Sequence, residues 1–279
     1  MRLSAGFAGL SVALGMATPA ATEPRQPTGK WVLSFADGQC VAMRDYGPAD
    51  APSSLLIKAS PLGTAMQLSV MRQAQGPTDP KEQGVTLRFG ENSPFKTKLL
   101  SYMIGETGTH AMRINLSNED FAPLRQAKSM SIASGDEIDD SFALGPMDKL
   151  AAAMDNCLKD IQVYWNIDEG PAARLRSRAE SKHNLAAYLA DGDYPDVAIR
   201  KESDGEVGFV LLVDDSGRVA DCMVTETSEV PILDAQACAL LSKRARFTPA
   251  VGADGKPARD WVKARIRWRI PNRGTRIDE

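Results

Sequence analysis

Few residues in this chain are arranged for chemistry. Only two histidines occur, His110 and His183, and neither sits in a nucleophile or general-base constellation. No Gly-x-Ser-x-Gly elbow is present to hold a catalytic serine. Asp214 and Asp215 are paired carboxylates, but Ser216 and Gly217 follow them, which marks a turn rather than an acid–base pair. Asp136, Glu137, Asp139 and Asp140 form an acidic cluster that reads as a loop, and their spacing misses the calcium-loop pattern. The stretch Gly205 to Gly208 runs into a strand-like segment instead of opening a helix, so it does not read as a phosphate cradle. A catalytic site, a metal site and a cofactor are therefore not expected, and the chain reads as a non-enzyme.

Two other groups of residues carry more information. Four cysteines occur, Cys40, Cys157, Cys222 and Cys238, none in a Cys-x-x-Cys pair. An even number in an exported chain points to bridges, whereas zinc would need closely spaced His or further Cys. The second group is a basic ladder, Lys263, Arg265, Arg267 and Arg269, which shares one face of an alternating segment with Trp261. Such a ladder keeps a strand soluble. It equally suits an edge that captures an acidic extended peptide by adding a strand. The two roles are compatible.

The elements that must position these residues fall into two units. The chain has 279 residues, a net charge of -3 and 43% apolar residues, enough for two small cores and too even in charge for a nucleic-acid binder. Residues 1–21 read as an export signal: Arg2, an apolar stretch from Leu3 to Met16, then small residues before a cut near Ala20 or Ala21. A retained anchor is the rival reading, and the stretch falls short of the roughly 20 residues that span a bilayer. Residues 28–167 read as a β-rich domain. Its candidate strands are Trp31 to Phe35, Cys40 to Arg44, Ser54 to Lys58, Met66 to Met71, Val85 to Phe89, Thr97 to Met103 and Ala111 to Asn115. A short helix is expected from Asn118, and a long one from Met147 to Trp165. In the latter Leu150, Met154, Cys157, Leu158 and Ile161 recur at helical spacing. Cys157 lies on that apolar face, and Cys40 is the only other cysteine in this half. Residues 168–192 are charged and read as a helical connector, 193–271 as a second domain, and 272–279 as a tail.

The second domain opens at Tyr194-Pro195. Val207, Phe209, Leu211 and Val213 alternate on one face of a strand, and Asp214 to Gly217 turns the chain into a second strand at Arg218 to Thr225. A helix begins at Leu233-Asp234 with Leu233, Ala237, Leu240 and Leu241 on one stripe. Lys243, Arg244 and Arg246 collect at its end, where cations suit the helix dipole. Trp261 to Ile270 is a last strand, with Val262, Ala264, Ile266, Trp268 and Ile270 facing away from the basic ladder. The order helix–strand–strand–helix–strand predicts a three-stranded antiparallel sheet covered on one side by two helices, an α+β unit.

The words and their order resemble the TonB C-terminal family. They are Tyr194-Pro195, the Gly205-x-Val-x strand opening, Asp214-x-x-Gly217, Leu233-Asp234, Arg246-Phe247-x-Pro249-Ala250 and Gly255-x-Pro257. The resemblance implies a periplasmic, cell-envelope module that engages a TonB-dependent outer-membrane transporter or another periplasmic protein, in the service of transmembrane transport. It implies partner contacts along Trp261, Lys263, Arg265, Arg267 and Arg269, and contact with a membrane only through partners or a retained anchor. The alternative is an envelope scaffold or adaptor that docks on peptidoglycan or another periplasmic protein. Two family parts are missing from the sequence: a histidine-bearing N-terminal anchor and a long Pro-rich spacer. In the family the positions of Cys222 and Cys238 are core positions on the second strand and the covering helix. A bridge between them is expected, alongside Cys40–Cys157, with buried free thiols as the alternative.

Overall fold

The protein is described by a computed structural model, which covers residues 23–36, 38–73, 80–104, 108–135, 138–167 and 174–270. The expected signal falls outside these residues. No helix among the described residues is long and apolar enough to cross a membrane. The architecture is α+β.

The first unit is built from strands β1 (Val32–Ala36), β2 (Gln39–Tyr46), β3 (Ser53–Ala59), β4 (Ala65–Gln73), β5 (Lys81–Phe89), β6 (Phe95–Ile104), β7 (Thr109–Ser117), β8 (Ser129–Ser134) and β9 (Ile138–Ala143). They form one antiparallel sheet in the order β1-β2-β3-β4-β7-β6-β5-β8-β9. The segment around Arg25 then closes it. Arg25 bridges Phe142 in parallel on β9, and Pro27 bridges Tyr46 on β2. The Arg25 N–H donates to the Ser141 carbonyl at 2.7 Å and the Thr28 N–H to the Asp45 carbonyl at 2.9 Å. The result is a barrel closed between β9 and β2, in which β1 keeps an outer edge that no described strand pairs.

Alternate residues point inward, as the period of two requires. Leu55 and Ile57 of β3, Leu68 and Val70 of β4, Leu87 and Phe89 of β5, and Met130 and Ile132 of β8 are all buried in one core. Helix α1 (Asn118–Phe121) is capped by the Ser117 hydroxyl, which accepts from the Asp120 N–H. Helix α2 (Asp148–Tyr164) lays Leu150, Met154, Cys157 and Ile161 across one end of the barrel. Cys40 and Cys157 are bonded, with a Cα–Cα distance of 6.0 Å, so the helix is stapled to β2.

The acidic cluster is not simply a loop. Asp136 and Glu137 lie outside the described residues, while Asp139 and Asp140 belong to β9. The alternation of β9 turns Asp140 inward, where its side chain is only 4% exposed and pairs with Arg25 and Arg72.

The connector also departs from expectation. Residues 168–173 lie outside the described residues; from Leu175 onward the connector forms β10 (Leu175–Ser177), β11 (Glu180–Ser181) and two 3-10 turns rather than a helix. The two strands hydrogen-bond to short strands of the second unit, β15 (Ala250–Gly252) and β14 (Phe247–Thr248). A chain whose backbone groups find partners in a neighbouring strand has no need of an internal helical ladder.

The second unit follows the expected order: α3 (Asp196–Arg200), β12 (Gly205–Val213), β13 (Val219–Glu226), α4 (Pro231–Arg244), β14, β15, β16 (Pro257–Ala258) and β17 (Asp260–Trp268). Its main sheet runs β13-β12-β17. Val207, Phe209, Leu211 and Val213 pack under α4 with Leu233, Ala237, Leu240 and Leu241. Cys222 of β13 is bonded to Cys238 of α4.

The opposite face of this sheet is also buried. Val210, Leu212 and Met223 belong to the barrel's core, with Trp261 packed beside them. Polar contacts fasten the joint. Lys58 pairs with Asp221 at 2.8 Å, and the Glu82 carboxylate accepts from the Ile232 N–H at 2.6 Å. At the end of α2 the Asn166 amide donates to the Arg259 carbonyl at 2.7 Å. Asp260 is wholly buried and takes both Arg178 nitrogens, Nε at 2.8 Å and Nη2 at 2.7 Å, plus the Ala179 N–H at 2.8 Å. Arg178→Ala leaves that carboxylate in place without its counter-ion. The expected loss is about 3 kcal/mol of stability, since removing one partner of a buried pair strands the other. Urea unfolding of the full chain measures it, and a midpoint equal to the parent's would show that Asp260 does not depend on the guanidinium.

Candidate docking strand

The strand that the family resemblance singled out is β17. It pairs with β12 from Gly205↔Trp268 to Val213↔Asp260, and with no other described strand. Its other edge therefore presents backbone N–H and C=O groups that no described strand satisfies, a template for one more extended chain. Two devices hold β17 in place. Ile266 and Trp268 are buried against the helical side. Tyr194 stacks edge-on against Trp268 with ring centres 5.3 Å apart. The Tyr194 hydroxyl donates to the Ser203 carbonyl at 2.7 Å, and burial pushes its pKa up to about 12.

The turn before β13 explains another family word. Asp214 Oδ1 accepts from the Ser216 and Arg218 N–H groups, each at 2.9 Å, so Asp214 is a turn residue and not an acid–base group. Gly217 has φ +76°, and a Cβ there would meet the Phe247 carbonyl oxygen at 2.1 Å. Only glycine fits both the left-handed backbone and that approach. Asp234 is buried and accepts from Thr227 Oγ1 at 2.6 Å and the Ser228 N–H at 2.9 Å; burial raises its carboxyl above the usual range.

The basic ladder is exposed, as the alternation required, but it is not unpartnered. Arg267 donates to Glu206 with Nε at 3.0 Å and Nη2 at 2.6 Å, and these bonds, with its charge, hold the Glu206 carboxyl below the usual carboxylate range. Arg265 pairs with Glu206 at 3.4 Å and with Glu226, and Lys263 pairs with Glu226 at 3.3 Å. Glu226 lies on β13, two strands away from Arg265. Gly208 stands between them in register with both, and its missing side chain lets the two meet over the central strand. Arg269 is exposed beyond the end of β17.

Trp261 belongs to the joint between the units. Its indole N–H donates to the Asn166 carbonyl at 3.3 Å and the Arg178 guanidinium lies over its ring at 5.5 Å. Of the residues preceding Tyr194, Asp193 is engaged internally, accepting from Arg244 Nη2 at 2.8 Å and the Ala190 N–H at 2.7 Å. Glu206, Glu226 and Gly208 were the residues that sequence reasoning left aside. Their signal was available, since Glu206 and Gly208 alternate with the core positions of β12.

Residues 191–270 match the family model described as Gram-negative bacterial TonB protein C-terminal. That span of the chain is a TonB C-terminal domain, a protein-interaction domain, and it makes up less than a third of the sequence. No curated protein matches the chain.

Proposed function

We propose that this is an envelope protein of the periplasm whose C-terminal domain binds an extended peptide segment along β17, the segment belonging to a TonB-dependent outer-membrane transporter. The single observation that carries this reading is the outer edge of β17, which no described strand pairs, within a domain of the TonB C-terminal type. Strand addition draws its affinity from main-chain hydrogen bonds, so it tolerates a ladder whose side chains are already engaged. The ion pairs of Lys263, Arg265 and Arg267 with Glu206 and Glu226 offset only part of the ladder's charge, since four cations face two carboxylates. The remaining positive charge should speed association with an acidic peptide, and salt should slow it.

The test is a fluorescence titration of a labelled TonB-box peptide against the full chain. Arg265 and Arg267 are each replaced by Ala and by Pro, keeping only variants that retain the parent's circular dichroism spectrum. The Ala variants should bind within about threefold of the parent, whereas folded Pro variants should lose at least about tenfold, because proline removes a ladder donor and distorts the edge. Folded Pro variants that bind like the parent would exclude β17 as the docking strand.

A further inference from the structure

The joint between barrel and docking domain is fastened where Lys58 meets Asp221 and where the Glu82 carboxylate meets the Ile232 N–H. Over the first half of β6 and the last half of β7 it stays open. There a cavity of about 390 Å³ lies between Lys96, Lys98 and Arg113 on the barrel side and Val224, Glu226 and Glu229 on the docking side. Every residue that lines it is among the described ones. The alternation of β6 sends Lys96 and Lys98 to the same outer face as Leu100, which packs into the docking domain's core and pairs with Arg113 of β7. The docking wall is the end of β13, an outer strand of its sheet. The volume lies within the range of about 300–1,000 Å³ common for small-molecule sites.

The charges of the lining are sorted by wall. Its three cations, Lys96, Lys98 and Arg113, all stand on barrel strands. Of its four carboxylates, Glu226, Glu229 and Asp234 belong to the docking domain, and Asp120 sits at the barrel rim. Three of these seven groups are already engaged. Glu226 takes Lys263 and Arg265, Asp234 accepts from Thr227 and Ser228, and Lys98 donates to the Glu229 backbone carbonyl. Two cations and two carboxylates remain. Lys96 is exposed, Arg113 lies over the Tyr102 ring at 5.4 Å, and neither pairs with a carboxylate among the described residues. Glu229 is exposed, and Asp120 accepts only from Ser117, its hydroxyl at 2.7 Å and its N–H-capping contact being neutral. Opposite charges thus face one another across the cleft without closing it. Between them Asn115, whose side-chain oxygen accepts from Gln67 at 3.2 Å, turns its amide to the same cleft.

We propose that this cleft binds a short zwitterionic peptide in extended form, at a site separate from the docking strand. Its carboxylate lies toward Arg113 and Lys96 and its ammonium toward Glu229 and Asp120. The Asn115 N–H groups donate to a peptide carbonyl between the two, and Val224 and Pro231 offer apolar surface to small side chains. A simple anion or a simple cation would satisfy one pair of charges and be repelled by the other, so a ligand carrying both signs is the one selected.

The test is calorimetric titration of the full chain with trialanine and its blocked forms. Trialanine should bind saturably. Trialanine amide, which keeps only the ammonium, and N-acetyl-trialanine, which keeps only the carboxylate, should each bind at least about tenfold more weakly, the usual cost of losing a hydrogen bond to a charged group. The doubly blocked peptide should show no saturable binding. Arg113→Gln and Lys96→Gln should each weaken trialanine and N-acetyl-trialanine while leaving trialanine amide unchanged, and Glu229→Gln should do the reverse. Lys96 and Glu229 are exposed, so those two variants keep the test open if Arg113→Gln does not fold. A loss of fold or packing would weaken all forms alike and could not produce this end-specific pattern. Absence of saturable trialanine binding, equal binding of the doubly blocked peptide, or Lys96→Gln and Glu229→Gln losses that ignore which end is blocked would overturn the proposal.

Discussion

Replacing Cys40 and Cys157 together by alanine is expected to lower the stability of the barrel by about 4 kcal/mol, and to loosen α2 before any strand. The bond joins residues 117 apart in sequence, and closing a loop of that length restricts the unfolded chain by about 4–5 kcal/mol. Cys222–Cys238, separated by 16 residues, should contribute less, about 3 kcal/mol. The order of the two effects matters because α2 is a lid of the interior. Met154, Ile161 and Trp165 fill the end of the barrel and are held there by packing, the bond to Cys40 and the Trp165 indole's hydrogen bond to the Gly38 carbonyl at 2.9 Å. Amide hydrogen exchange resolves the two outcomes. Amides of α2 should exchange faster in the double variant than those of β4 and β7, which keep their full ladders. Uniform protection across α2, β4 and β7 in the two proteins would show that packing alone holds the helix.

What the sequence made legible, and what it did not, follows from the range of the interactions. The docking domain was readable because its constraints are local. The positive φ of Gly217 is set by one turn, Asp234 by the loop that precedes its helix, and the stripe of α4 by helical period. In the barrel, strands with an apolar inward series could be read from alternation. β8 and β9 could not. β8 carries only Met130 and Ile132 between serines, and β9 places Asp140 at an inward position. That carboxylate disguised a strand as a loop because its partners, Arg25 and Arg72, lie 115 and 68 residues away in sequence. The same limit hid the closure of the sheet by the segment at Arg25. It also hid the strand character of Leu175–Ser177, which depends on Ala250–Gly252. One long-range feature was within reach. β12 is apolar at Phe209, Val210, Leu211, Leu212 and Val213 without a break, and an uninterrupted run marks a strand covered on both faces. Its alternation was read for one face only, so the second cover was missed.

That second cover leads to the other large effect. A fragment of residues 191–270, the span that matches the family, is expected not to fold stably on its own. It would expose Val210, Leu212 and Met223, which the intact chain buries in the barrel's core. Each such side chain contributes about 1.5–3 kcal/mol when buried, so about 5 kcal/mol is lost together. The fragment would also lack Arg178, leaving the buried Asp260 carboxylate without its cation, and would lack β10 and β11, the partners of β15 and β14. A domain of this size has a total stability on the order of 5–10 kcal/mol, so these losses are comparable to the whole. Extending the fragment to begin at residue 174 restores Arg178 and both short strands but not the cover of Val210 and Leu212. It should therefore fold only in part of the way to the intact chain's stability. Urea unfolding followed by tryptophan fluorescence, with size-exclusion chromatography to detect association through the bared face, distinguishes the three lengths. A cooperative transition of the 191–270 fragment at the intact chain's midpoint, in a monomer, would mean that the barrel only carries the docking domain. The expected order, with the shortest fragment weakest, would mean that barrel and docking domain share one core and behave as a single folded unit.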